Sequence, residues 1–314
     1  VIEHADRLRA EGVHLVVAIT HIGFGDDLLL ARSGAVDVIL SGHDHHLLTY
    51  WDGKVALVES ASQADFVTPI DLMIDTSTLE PGKRASFIPH FRPIDTADIA
   101  PDPQLAASIA GYMKALDKDL DVVIGKAGVA FTTKSVTMRT GENAFGNLVC
   151  DAMRKAVNAD ICLINGGGIR ANRDYAMGAP LTRRSVLEEM PFGNKTVLLE
   201  IDGKTLRAAL EHGLHGGGGF PQVSGIVMEA EPARPLGQRV LSIEINGRPL
   251  EPEGRYTLAT NDFVARGGDG YVMFQSAKKL IDALAGQYVS GQVIAHISKV
   301  GTIEPKLEGR IKLR

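Results

Sequence analysis

Short apolar runs separated by helical patterns constrain the first hundred residues more than any other feature of the chain. "HLVVAIT" (14–20) and "VDVILSG" (36–42) are rich in branched residues and too short for a buried helix. "IEHADRLRAEG" (2–12) and "LLLARSGA" (28–35) carry apolar residues at helical spacing, and the first ends at a glycine. Continuous Val/Ile/Leu strands alternating with helices predict an α/β layer around a central sheet. Two more strands are expected in residues 54–76, the second alternating in "TPIDLMID", and another in "RASFIPHFRPI" (84–94).

The texture then changes. "DTADIAPDP" (95–103) reads as a linker, and a helix over 103–119 follows, with Asp102 or Pro103 able to start it. From residue 120 strands and helices mix without regular alternation. Strand patterns lie in "VVIGKAGVAF" (122–131), "DICLIN" (160–165), "TVLLEI" (196–201), "RVLSIEI" (239–245) and "RYTLAT" (255–260), with a hairpin turn at Asn246-Gly247. Helices are predicted over "ENAFGNLVCDAMRKAVNA" (142–159), "TRRSVLEEM" (182–190), "KTLRAALEHG" (204–213) and "VSGQVIAHISK" (289–299). The expected class is α/β for the first part and α+β or mixed α/β for the second, divided as 1–100, a connecting helix 101–119, and 120–314.

Composition excludes several classes. With 33 Lys and Arg against 38 Asp and Glu, the chain has no basic excess to hold a nucleic-acid polymer. No run approaches the ~20 apolar residues of a membrane helix. Cys150 and Cys162 lie in apolar patterns and read as buried free thiols. The opening "VIEHADRLRAEGVHLVVAIT" reads as the middle of a helix feeding a strand, so an N-terminal part is expected to be missing, and any targeting segment with it.

Three histidines follow strands. His21 comes directly after "HLVVAIT", and His43 and His45 come after "VDVIL" with Ser41-Gly42 between. Ligands in open α/β sheets sit beyond the carboxyl ends of strands, and neutral imidazoles suit Zn, Mn, Fe or Co. Gly42 is expected to let the backbone turn so that His43 and His45 converge on a metal. Asp44 and His46 then point away, with Asp44 able to orient a ligand. Asp26 and Asp27 are near in sequence, with no pattern fixing their direction.

The second part holds "LINGGGIRANRD" (163–174), where three glycines interrupt a buried strand. No Lys-Ser/Thr follows, so this is no phosphate-cradling loop. The expectation is a strand exit left bare so that a ligand approaches the backbone.

Taken in order, "ITHIG" and "VDVILSGHDHH" resemble the later metal-binding motifs of calcineurin-like metallophosphatases. "RTGENAFGNLVCDAM", "INGGGIR", "MPFGN", "GFPQVSGI" and "NDFVARGGDGY" resemble the C-terminal domain of the bacterial and ecto 5'-nucleotidase family. The resemblance covers essentially the whole chain. It implies part of a metallophosphatase β-sandwich with flanking helices, a linker helix, and a substrate domain. It also implies a phosphoesterase acting on nucleotides with two divalent metals (Zn, Mn, Co or similar), in the periplasm or outside the cell. Metal roles fall on His21, His43 and His45. The family's earlier Asp-x-His, bridging Asp and Asn-His pair, which includes the catalytic His, have no counterpart before His21. The expectation is therefore an incomplete catalytic unit holding no catalytic residue of its own.

Substrate roles fall on Arg139, Asn165, Arg170, Phe192, Phe263 and Asp269. These residue types suit a nucleoside. Two Phe rings adjoining glycine turns can sandwich a base, Asp269 can accept from ribose hydroxyls, the guanidiniums can fork onto ribose or phosphate oxygens, and Asn165 can meet a base edge. The paired Phe favour a 5'-nucleotidase over the related 2',3'-cyclic nucleotide phosphodiesterase/3'-nucleotidase, although Tyr175 and Tyr271 leave that alternative open. A nucleoside-binding module without catalysis is the other alternative.

Overall fold

In the computed structural model the branched runs become a four-stranded sheet whose order is Val17–Ile19, Val38–Ser41, Ala56–Ser60, Leu47–Trp51. The structure describes residues 1–75, 77, 79–80, 83–215 and 217–314, and Thr76, the last residue of the 54–76 expectation, lies outside them. The first three strands are parallel and the fourth is antiparallel. Because side chains alternate along a strand, Ile39 and Leu57 point to one face and Val38 and Ala56 to the other. The helices Ile2–Ala10 and Phe24–Ser33 cover the first face through Ala5, Leu8, Leu30 and Ala31. An antiparallel pair, Ile70–Ile74 with Phe87–Phe91, covers the second through Ile70, Leu72, Phe87 and Phe91. This gives the helix-flanked, layered β arrangement expected of the first part.

One buried carboxylate locks this layer. Asp37 is fully buried, accepts from the Val16 backbone N–H at 2.6 Å, and is paired with both Arg9 and Arg84. Two guanidiniums on one desolvated carboxylate satisfy the condition under which a buried charge is tolerated.

The helix Pro103–Leu120 begins where expected, with Asp102 accepting from the Leu105 N–H at 2.8 Å. The chain divides into two compact units inside this helix, Val1–Ser108 and Ile109–Arg314, rather than at its ends. No helix among the described residues is long and apolar enough to cross a membrane.

The second unit is built on a five-stranded mixed sheet, in the order Pro221–Ser224, Ile161–Asn165, Arg255–Asn261, Thr196–Asp202, Lys278–Ile281. Only Ile161–Asn165 and Arg255–Asn261 run parallel, and their carboxyl ends therefore emerge together. Ile161 and Leu163 face a core completed by Leu206, Ala209 and Leu210 of the helix Gly203–Gly213. Cys162 and Ile164 face the opposite core, filled by Val149 and Met153 of the helix Ala144–Ala156 and by Val293 and Ile297 of Val289–Val300. Cys150 and Cys162 are buried free thiols, and burial followed by the nearby Cys150 thiol pushes Cys162 well up. The turn Asn246-Gly247, both at positive φ, joins Val240–Ile245 to Arg248–Pro249 as the sequence indicates.

Candidate functional site

Asn165 is the last residue of Ile161–Asn165, and Asn261 is the last residue of its parallel neighbour. Asn261 Oδ1 accepts from the Val264 N–H at 2.8 Å and caps the short helix Asp262–Ala265 that carries Phe263. That bond fixes the amide orientation. Asn261 Nδ2 must then donate to Asn165 Oδ1, at 3.0 Å, which leaves Asn165 Nδ2 to donate to Asp269 Oδ2 at 2.7 Å. Three polar side chains from separate segments thus form one directional relay. Asn261 was not among the residues singled out from the sequence. A strand-ending Asn that caps a helix reads as local structure, and its contact with Asn165 is visible only once the strands are paired.

Asp269 is exposed and sits at φ 50° between Gly268 and Gly270, with its carbonyl against the His212 ring at 2.7 Å. Arg139 and Arg170 belong to the same neighbourhood. Burial first, then the charge of Arg170, lowers the Arg139 guanidinium from its ordinary value, while Asp269 opposes the shift. Arg139 stays a cation at neutral pH, and its buried Nε has no hydrogen-bond partner among the described residues. Arg139 thus senses one further cation and one carboxylate, and the guanidiniums give the site donors suited to hydroxyl or phosphate oxygens. Arg170 is held by its backbone, whose N–H donates to the Glu189 carbonyl at 2.8 Å, and its guanidinium lies 5.7 Å from the centre of the Phe192 ring.

The two phenyl rings are accessible, Phe192 at 58% and Phe263 at 38% relative exposure. Phe192 lines a crevice with Gly168, Asn194, Asn261 and Ser290. Phe263 packs against the glycine beside Asp269, and a Cβ added at Gly268 would lie 2.4 Å from its ring. By contrast Tyr271 is fully buried with its hydroxyl donating to the Gly219 carbonyl, and Tyr175 is buried with its hydroxyl on Glu189. Neither tyrosine presents a free face. The structure thus links Arg139, Asn165, Arg170 and Asp269, with Phe192 joined through Arg170 and Phe263 through Gly268. Gly268→Ala is expected to displace the Phe263 ring and leave the fold intact. Titration with a nucleoside checks it, and unchanged affinity would remove Phe263 from the site.

Two of the three glycines are required by neighbouring chain. A Cβ at Gly166 would fall 2.3 Å from the Met138 carbonyl oxygen, and one at Gly167 would fall 3.0 Å from Gly218 Cα. Gly166 and Gly167 thus admit neighbouring chain, while Gly168 lines the crevice beside Phe192.

In the first unit the rings of His21 and His43 stand edge to face with centroids 5.3 Å apart. No hydrogen bond occupies the rings of His21, His43 or His45 among the described residues. His45 follows one residue after His43 in the same loop, and its backbone N–H donates to Glu59. The expected role of Gly42 also shifts, because the left-handed backbone falls on His43 (φ 116°) and His45 (φ 62°) instead. The ligand atoms of Asp44, His46 and Glu59 lie within 4.8 Å of one another, so these alternate residues share a cluster of their own. Asp44 Oδ2 also accepts from the Phe24 N–H at 2.5 Å, tying the loop to the helix start. Asp27 is buried and accepts from the Thr20 and Ser41 hydroxyls, which makes it structural, while Asp26 is exposed.

Comparison with known proteins places this geometry. Residues 123–276 match the family described as 5'-nucleotidase, C-terminal domain. This segment is a 5'-nucleotidase C-terminal domain. The chain is 32% identical to the trifunctional nucleotide phosphoesterase protein YfkN of Bacillus subtilis over 96% of its own length and 22% of that protein's. It is 29% identical to human 5'-nucleotidase over 98% of its own length and 60% of that protein's. The crystal structure of a 5'-nucleotidase precursor from Thermus thermophilus superposes with a TM-score of 0.76 at 28% identity, covering 99% of this chain and 66% of that one. The chain thus spans less than two thirds of these relatives' lengths.

Proposed function

We propose that this chain takes part in the metal-dependent hydrolysis of nucleoside 5'-monophosphates to nucleoside and phosphate, with the 5'-nucleotidase C-terminal domain holding the nucleoside. The observation that carries the reading is that two accessible rings adjoin the Asn261–Asn165–Asp269 relay and its guanidiniums, Phe192 beside Arg170 and Phe263 beside Gly268. A purine is apolar on both faces, and stacking contributes ~1–3 kcal/mol per base. Asp269 accepts from ribose hydroxyls, and its bond from Asn165 holds the carboxylate in place. Arg139 and Arg170 meet the ribose or phosphate oxygens.

His21 and His43 would hold a divalent metal, with His45 as a further ligand. Their ring nitrogens follow strand ends and carry no hydrogen bond among the described residues, a donor set that fits Zn, Mn or Co. When bound, two such ions activate a water and stabilise phosphoryl charge. The relatives' names support this reading, and the burial of both tyrosines favours it over a cyclic phosphodiesterase, which by resemblance would stack its base on tyrosine.

The test is phosphate release from AMP and from 2',3'-cyclic AMP by the metal-loaded full-length protein, since this chain alone is expected to be an incomplete catalytic unit, run beside calorimetry with adenosine. Adenosine binding with AMP preferred is expected. Adenosine heat without phosphate release from either substrate would contradict the hydrolase and leave a nucleoside-binding module.

A further inference from the structure

We infer that Glu59 is the positioning residue that sets the shape of the "GHDHH" loop and thereby presents its imidazoles. The inference rests on the reading of His21 and His43 as metal ligands, and adds to it a residue that touches neither ring.

The strand order places Glu59 beneath the loop. Ala56–Ser60 lies between Val38–Ser41, which enters the loop, and Leu47–Trp51, which leaves it. In the register Glu59 pairs with Ser41 on one side and with Leu48 on the other. The loop of residues 42–46 therefore arches over this one position. The Glu59 carboxylate is 3% exposed, an expensive place for a charge unless its oxygens are used. Oε1 accepts from the His45 backbone N–H at 2.7 Å, and Oε2 lies 3.6 Å from His46 Nδ1. A second tether, the Ala61 N–H to the His46 carbonyl at 2.8 Å, closes the loop from the same strand end.

The loop needs such a holder. His43 and His45 both adopt positive φ without being glycine, a conformation that persists only where surrounding contacts over-determine it. The bond to Glu59 falls on the backbone of one of these two residues, and the His46 contact fixes the residue after it. Release of that backbone would let His43 and His45 relax toward ordinary φ and would swing the His43 ring from its place beside His21. Glu59 accepts a hydrogen bond here, and a neutral amide could do the same. A metal ligand in the Asp44, His46 and Glu59 cluster would instead need the charge.

The experiment compares Glu59→Gln and Glu59→Leu with the wild-type chain, with two readouts. The first is hydrogen exchange of the 42–46 segment without metal. The second is cobalt(II) affinity, followed by the visible absorption of the bound ion. The expected result is slow exchange in wild type and Glu59→Gln, faster exchange in Glu59→Leu, and cobalt affinity falling about 10–100-fold in Glu59→Leu only, the range seen for outer-shell partners. Equal loss in Glu59→Gln and Glu59→Leu would overturn the positioning role, and so would unchanged exchange in Glu59→Leu. A wild-type chain that binds no cobalt would defeat the metal reading, while exchange at the loop would still decide the role of Glu59.

Discussion

Replacement of Asp151 by alanine is expected to lower the stability of the second unit by about 3 kcal/mol, the low end of the ~3–5 kcal/mol for breaking a buried ion pair, because the Asp151 side chain is only partly buried, at 27% exposure. Asp151 takes both terminal nitrogens of Arg310, at 3.0 and 2.9 Å, and the Ser224 hydroxyl at 2.5 Å. The guanidinium also donates to Glu308 and to the Val223 carbonyl. It fastens the C-terminal segment to the helix Ala144–Ala156 and to the edge strand Pro221–Ser224. Alanine would leave Arg310, whose side chain is 10% exposed, with Glu308 as its one remaining carboxylate.

The same pair predicts an acid dependence. Burial raises the Asp151 carboxyl, but bonds from Arg310 and Ser224 and the Arg310 charge outweigh burial and hold it below its ordinary value. A depressed carboxylate contributes stability that is full above the unfolded value near ~4 and is lost as pH falls through the lower folded value. The Tm gap between wild type and Asp151→Ala should therefore be widest near neutrality and shrink as pH falls below about 4. At neutrality ~3 kcal/mol corresponds to roughly 6–12 °C for a unit of this size. Calorimetry across that range checks both statements, and a gap independent of pH would assign the loss to packing.

Loss of either exposed phenyl ring is expected to weaken nucleoside binding by about 5–150-fold, the equivalent of ~1–3 kcal/mol of stacking. Phe192→Ala and Phe263→Ala should leave the Tm near wild type, since neither ring is buried. The two losses are expected to be non-additive, because a base with one remaining partner still gains from that face. Phe192→Ala carries a second effect, because the Arg170 guanidinium lies over that ring and would be less well placed. Phosphate-bearing ligands should therefore suffer more than free nucleosides in Phe192→Ala, and equally in Phe263→Ala. Calorimetric titration of adenosine and AMP into each variant separates these outcomes.

Much of the first sheet was legible because its strands are continuous branched runs whose burial needs two covered faces. The strand Leu47–Trp51 was not, since it follows directly on the histidines and its pairing depends on the turn in which Asp52 accepts from the Lys54 and Val55 N–H groups. Motif residues of the second unit were legible by resemblance, and the structure links most of them. Asn261 and Glu59 were hidden for a shared reason. An Asn at a strand end and a Glu near one read as capping or solvated residues, and only strand register brings the first to Asn165 and the second beneath His45. The triple glycine was legible as a special backbone, but the close approach of Met138 to Gly166 and of Gly218 to Gly167 comes from segments distant in sequence.

The most direct test of the account is the proton NMR spectrum of adenosine titrated with the full chain. A base held between two phenyl faces shows upfield ring-current shifts at both H2 and H8. The account predicts saturable upfield shifts that diminish in Phe192→Ala and again in Phe263→Ala. Shifts that are absent, or that persist unchanged when both rings are removed, would contradict the assignment of this domain as the nucleoside-holding part of the protein.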